Sequence, residues 1–145
     1  MANTRTQVEI EDWLRTNWLP EYFGQKFRPE RLKLNSGGVF DFDAVSDDDK
    51  IVVNISTSSA VTSSGKEGVG KLHKIHSDIM FLLMTVCVKR VILLTENDMY
   101  NKCIKEKEAG RIPLQIEFML ASIPEDLALK LKQAKAVASK EVTPK

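Results

Sequence analysis

Between Gly37 and Lys74 the chain constrains its own fold more tightly than anywhere else. GGVFDFDAVS and IVVNIST alternate in polarity on either side of the acidic run Asp47-Asp48-Asp49-Lys50. A Gly/Ser-rich loop then opens a basic helix. Side chains alternate along strands, so the apolar residues dictate the register of this hairpin. Phe40, Phe42 and Ala44 point one way, and Val53 and Ile55 must share that face to form a core. Pairing Ala44 with Val53 and Phe42 with Ile55 achieves this. The same pairing sets Asp43 opposite Asn54 and Asp41 opposite Ser56 on the other face. Asp43 and Asn54 are thereby expected to flank one metal ion or water, because hard divalent cations take oxygen ligands. The same carboxylates also fit an ordinary solvated strand pair.

The remaining pattern completes a single domain over residues 1–145, with its core at about 8–139 and a tail at 140–145. A first helix is expected from Val8 to Phe23, where Ile10, Trp13, Leu14 and Trp18 fall at helical spacing and Pro20 kinks or ends it. Strands follow at Arg31–Asn35, ahead of the Ser36-Gly37-Gly38 turn, then at Val39–Val45 and Ile51–Thr57. Leu72, Ile75, Ile79, Leu82, Leu83 and Val86 share one face of a helix spanning Gly70–Val88. Arg90–Thr95 (RVILLT) reads as a strand buried on both faces. Asn97–Ala109 is a polar helix stopped by Gly110, and Leu114–Leu120 alternates as a strand. Ser122-x-x-Glu125 forms a capping box opening a last helix to about Ser139. The order α-β-β-β-α-β-α-β-α predicts an α/β (α+β) protein, a mixed central sheet flanked by helices.

Composition excludes several classes. A formal net charge of +1 leaves no global field toward nucleic acid or anionic membrane, so any such attraction rests on local clustering. Asp78, Lys89 and Arg90 interrupt the most apolar window, Ile75–Leu94, which is therefore not a membrane span. The N-terminal residues lack an apolar leader. Cys87 and Cys103 sit among helical and apolar residues without CxxC spacing, as expected of reduced cysteines in a cytoplasmic protein.

The αβββαβ order, Asp43 on its strand, the ten-residue gap and the tripeptide Asn54-Ile55-Ser56 resemble the PD-(D/E)XK, or restriction-endonuclease-like, superfamily. The resemblance covers about Val8 to Leu120. It implies a nucleic-acid-associated domain, with DNA or RNA as partner, and a Mg²⁺-dependent phosphodiesterase site. In that family the first Asp, matched by Asp43, binds the ion. A second carboxylate belongs where Asn54 stands, and a lysine that positions the attacking water belongs where Ser56 stands. The catalytic set implied here is Asp43, Asn54, Ser56 and Lys71, with Asp43 and Asn54 holding a weakly bound Mg²⁺. Asn54 offers a carbonyl oxygen without charge, and Ser56 supplies no cation. The site is therefore expected to be weakly active or catalytically degenerate. Some members relocate the lysine, and Lys71 and Lys74 are placed to replace it. A carboxylate of the first helix joins the site in some relatives, and Glu9, Glu11 and Glu21 are all candidates.

Gly65-Lys66-Glu67-Gly68-Val69-Gly70-Lys71 also fits the phosphate-cradling pattern G-x-x-x-x-G-K, but Leu72 stands where Ser or Thr would bind Mg²⁺. The polar run between Thr57 and Gly65 is too long for a true P-loop, which argues against nucleotide hydrolysis. Backbone N–H groups of such a turn still suit a phosphate, with Ser63, Ser64, Gly65, Lys66, Gly70, Lys71 and Lys74 as the binding set. A third class, a non-enzymatic scaffold for a protein partner or a homodimer, predicts a large exposed apolar patch away from Asp43. His73 and His76 lie three apart on the helix with no third zinc ligand in view, and read as surface or partly buried histidines.

Overall fold

The computed structural model describes residues 2–61 and 68–142. A five-stranded sheet runs in the order β1 (Phe27–Lys33), β2 (Val39–Ser46), β3 (Ile51–Ser56), β4 (Lys89–Leu94), β5 (Ile116–Leu120). The first three strands pair antiparallel, and β3, β4 and β5 pair parallel. The element order therefore matches the expectation, and the protein is an α/β domain built on a mixed sheet.

The helices divide between the two faces. On one lie α1 (Ala2–Trp13) and α5 (Glu125–Val142), whose Ile10, Leu127 and Leu131 pack with Ala44, Val53, Ile55, Val91 and Leu93. On the other lie α3 (Val69–Leu83) and α4 (Asn97–Glu108), whose Ile75, Ile79, Leu82, Met99 and Cys103 pack with Phe42, Val52, Ile92 and Leu94. Val91 and Leu93 alternate with Ile92 and Leu94 between these two cores, as a continuous apolar strand must when both faces are covered. Each fully buried Leu or Ile contributes roughly 1.5–3 kcal/mol. Cys87 and Cys103 are free thiols, and burial pushes the Cys103 thiol up to about 12.

The first helix contains a device at Pro20. A π-helical turn, Leu14–Trp18, follows α1 and leads into α2 (Leu19–Phe23), with the Leu19 N–H bonded to the Leu14 carbonyl. Proline has no N–H to give, and the wider turn upstream admits it without ending the helix. The helix stops instead at Gly24, whose φ of 73° provides the left-handed terminus.

The expected register holds at its anchor: Ala44 pairs with Val53 and Val45 with Val52. The expectation that Phe42 and Ala44 share a face does not hold, because Ala44 faces α1 and α5 while Phe42 faces α3. The cause is a bulge. Arg28 pairs with Val45 but Glu30 pairs with Phe42, so Pro29 on β1 faces both Asp43 and Ala44. Pro29 cannot donate to the ladder and sits on an edge strand, where a bulge is tolerated. The extra residue reverses the alternation beyond it. Asp41 consequently pairs with Arg31 of β1 at 2.7 Å on the exposed edge, rather than facing Ser56.

The first strand is Phe27–Lys33 rather than Arg31–Asn35, with Pro29 inside it. The α3 helix ends at Leu83, short of Val88, because Arg90 caps it from β4. The Arg90 guanidinium donates to the Leu82 and Thr85 carbonyls at 2.8 Å each. Val86 is consequently 84% exposed rather than part of the apolar stripe.

Candidate functional site

Strands β2 and β3 stop pairing where the polar residues begin. Past Ala44 and Val53 their backbones part, and side chains take over the bonding. The Ile55 N–H donates to Asp43 Oδ2 at 2.8 Å, and the Asp43 N–H points at Asn54 Oδ1 at 3.5 Å. The opening forms a cleft of about 140 Å³ at the carboxyl end of β3. Asp43 comes from β2, Ser56 from the end of β3 and Thr57 from just past it, Gln7 and Glu11 from α1, and Lys71, Lys74 and Asp78 from α3.

Glu11 is the carboxylate that the first helix contributes. Glu9 turns away to meet Lys130 of α5 at 3.2 Å, and Glu21 lies exposed in α2. Gln7, Glu11 and Arg15 are spaced i, i+4 and i+8, forming a polar stripe beside the apolar Ile10 and Leu14. That spacing was the available signal for Gln7 and Arg15. Gln7 donates to Thr57 Oγ1 at 3.4 Å, while Arg15 Nε donates to the Asp43 carbonyl at 2.8 Å and holds β2 against the helix.

Three carboxyls here share one electrostatic situation. Burial pushes the Glu11 carboxyl up to about 7, with neighbouring Asp43 adding to the rise and Arg15 and Lys74 opposing it. Burial also raises Asp43, against the Ile55 N–H, Lys74 and Arg15. Asp78 is raised by burial too, with Lys74 opposing. Lys74 thus acts on all three carboxyls, and its Nζ lies 3.4 Å from Asp78 Oδ2 while its side chain remains 74% exposed.

Of the residues read from the sequence, Asp43, Ser56, Lys71 and Lys74 line the cleft. Asn54 does not line it. Its side chain is 2% exposed and spans from β3 to α3, with Nδ2 directed at the Asp78 carbonyl at 3.5 Å. Gly70 lies in the first turn of α3. Ser63, Ser64, Gly65 and Lys66 lie outside the described residues, as does Glu67 of the glycine motif. Gly68 N–H donates to the Ala60 carbonyl at 2.8 Å, folding the loop's end back on the segment after β3. His76 Nε2 and Glu106 Oε1 lie 2.8 Å apart, so this histidine bridges α3 to α4.

Among the described residues, no group of three or more His, Cys, Asp or Glu is arranged to hold a metal ion. None of the helices there is long and apolar enough to cross a membrane. The class defined so far is an α/β domain with an acid-lined cleft at the carboxyl end of a central strand. No family model matches the chain, and no curated protein or solved structure matches it.

Proposed function

We propose that this domain is a nucleic-acid-associated protein of the restriction-endonuclease-like kind, acting as a weak Mg²⁺-dependent phosphodiesterase. The observation that carries the reading is the meeting of Asp43, Glu11 and Lys74 from three separate elements in one cleft. Glu11 supplies the second carboxylate that Asn54 lacks. Lys74 supplies the cation that Ser56 lacks.

The donor chemistry suits a hard divalent cation. Mg²⁺ is commonly held by one or two carboxylates, with water and substrate phosphate completing its shell. Asp43 and Glu11 would hold it here, and both carry buried charge that a cation relieves. Among the described residues no third His, Cys, Asp or Glu converges with them, so water and the substrate's own oxygens would complete the shell. When bound, such an ion supplies charge neutralisation at the phosphate and a more acidic water.

The chain's own groups do the rest. Asp78 steadies the Lys74 ammonium at the rim, where it faces an incoming phosphate. Lys71 adds a second positive charge on the same helix flank, and no ion pair engages it among the described residues. Arg15 keeps β2 in place through the Asp43 carbonyl, which leaves the Asp43 carboxylate aimed at the cleft.

The test is Mg²⁺- and Mn²⁺-dependent cleavage of single- and double-stranded DNA and RNA. Cleavage is expected from the wild type and expected to fall at least about 100-fold in Asp43→Asn, Glu11→Gln and Lys74→Ala. Oligonucleotide binding without cleavage indicates the catalytically degenerate form. Absence of both overturns the reading.

A scaffold role has one observation in its favour. Val86, Val88 and Leu114 are 84%, 75% and 91% exposed, and the pairing of Arg90 with Ile116 brings Val88 and Leu114 to the same end of the sheet. That end lies opposite the cleft, so a protein partner or second copy there is compatible with nucleic acid at Asp43. Sedimentation of the wild type against Val88→Ser with Leu114→Ser distinguishes self-association from the monomer.

A further inference from the structure

A larger cavity, of about 480 Å³, opens beside the Asp43 cleft at the carboxyl ends of β4 and β5. One short segment supplies a residue to each: Ser58 lines the cleft and its neighbour Ser59 lines the cavity. The segments that leave β4 (Thr95, Glu96, Asn97) and β5 (Ala121, Ser122, Ile123) form its walls outside the carboxyl ends of these two parallel strands. The volume also falls within the range of small-molecule sites, roughly 300–1,000 Å³.

The shared wall is firmly held. Ala60 N–H donates to Asp98 Oδ2 at 3.0 Å, and Thr95 N–H donates to the Ser56 carbonyl at 3.2 Å. Gly68 N–H closes the same segment from the other direction through the Ala60 carbonyl at 2.8 Å. The cavity is therefore formed before any ligand arrives.

Its lining combines two chemistries. Ala121, Ile123 and Leu131 give an apolar floor, and Ser59, Asn97 and Lys132 give a polar rim. Glu96 also faces the cavity, but Lys135 Nζ meets its carboxylate at 3.0 Å and the Thr95 hydroxyl donates to it at 3.0 Å. With Glu96 and Lys135 offsetting each other, Lys132 sets the sign of the cavity. It is exposed, and no ion pair engages it among the described residues. An apolar floor, the Asn97 amide with the Ser59 and Ser122 hydroxyls for ring-edge hydrogen bonds, and the Lys132 cation match a nucleotide.

We infer that this cavity binds a nucleotide unit, its base against the Ala121–Leu131 floor and its phosphate at Lys132. Its assignment to the residue flanking the phosphate at Asp43 rests on the phosphodiesterase reading. Binding of the nucleotide itself does not.

The experiment is an amide NMR titration of the full chain, without metal, using the four nucleoside 5′-monophosphates and inorganic phosphate as separate probes. Saturable shifts are expected at Ser59, Asn97 and Ser122 with the nucleotides. Lys132→Glu is expected to weaken them about tenfold, near 1.4 kcal/mol, and Asp43→Asn to leave them unchanged. Absence of shifts at these residues, or indifference to Lys132→Glu, overturns the inference. Inorganic phosphate binding as tightly as the nucleotides overturns the base contact. Mononucleotides at this cavity with no oligonucleotide binding or cleavage at Asp43 would refute the phosphodiesterase reading while supporting the nucleotide site.

Discussion

Asp43 Oδ2 accepts the Ile55 N–H at 2.8 Å, where the backbone ladder between β2 and β3 has already ended. The carboxylate thus has two duties, closing the sheet at its point of divergence and presenting negative charge to the cleft. The two can be separated by substitution. Asp43→Ala leaves a partly buried N–H without an acceptor and is expected to cost about 1–3 kcal/mol in urea unfolding. Asp43→Asn retains an oxygen acceptor and removes buried charge, so its stability is expected to stay within about 1 kcal/mol of wild type. Under the proposed phosphodiesterase reading, metal-dependent cleavage is expected to fall at least about 100-fold in both.

Glu11 makes stability depend on pH. Its carboxyl lies at about 7 in the folded protein against an ordinary 4.5, so the folded state holds the proton more tightly than the unfolded chain. The resulting stabilisation is fully present below pH 4.5 and is lost as pH rises through about 7. Glu11→Gln removes this loss. Discounted for partial solvent exposure, the variant is expected to be more stable than wild type by about 1–2 kcal/mol at pH 8. Near pH 4.5 the two should coincide. Asp43 and Asp78 are raised as well, so a residual slope in the same direction remains. Excess Mg²⁺ should raise the wild-type melting temperature at pH 8 and much less at pH 5, where protons compete for Glu11. Equal effects at both would argue against an ion on this carboxylate.

Asn54→Asp would place a carboxylate where the proposed phosphodiesterase reading expects one, and the fold predicts a penalty. Its Nδ2 faces the Asp78 carbonyl from a position 2% exposed. In Asn54→Asp an oxygen replaces that donor, and a charge is added near Asp43 and Asp78. A loss of about 2–4 kcal/mol is expected at pH 8. Part of it should be recovered at pH 5, where the protonated acid can donate. Urea midpoints at the two pH values measure both effects.

Gly68 is held to glycine by proximity rather than by backbone angle. An added Cβ would lie 3.2 Å from the Ala60 carbonyl oxygen and 3.3 Å from Lys71 Cδ. The side chain can yield, but the carbonyl belongs to the wall between cleft and cavity. Gly68→Ala is expected to cost about 1 kcal/mol and to speed exchange of the Ala60 amide. Unchanged exchange would mean the wall absorbs the methyl without moving.

How far the sequence reached differs residue by residue. The Ala44–Val53 pairing was legible because only one register buries both, and Arg90–Thr95 was legible as a two-sided strand from its unbroken apolar run, which the fold realises as Lys89–Leu94. Phe42 was misplaced because the bulge opposite Pro29 depends on which strand lies alongside, which alternation within β2 does not record. The end of α3 was likewise invisible, since its cap is an arginine from the next strand rather than a local glycine.

By itself, then, the sequence determined the element order, the central register and the candidate status of Asp43, because these follow from short-range periodicity and turn chemistry. Only the tertiary structure decided that Glu11, and neither Glu9 nor Glu21, faces Asp43. It also withdrew Asn54 into the interior and placed Lys74 among three carboxyls. The reason is geometric: local spacing tells which side chains share a helix or strand face, and only packing tells what that face meets.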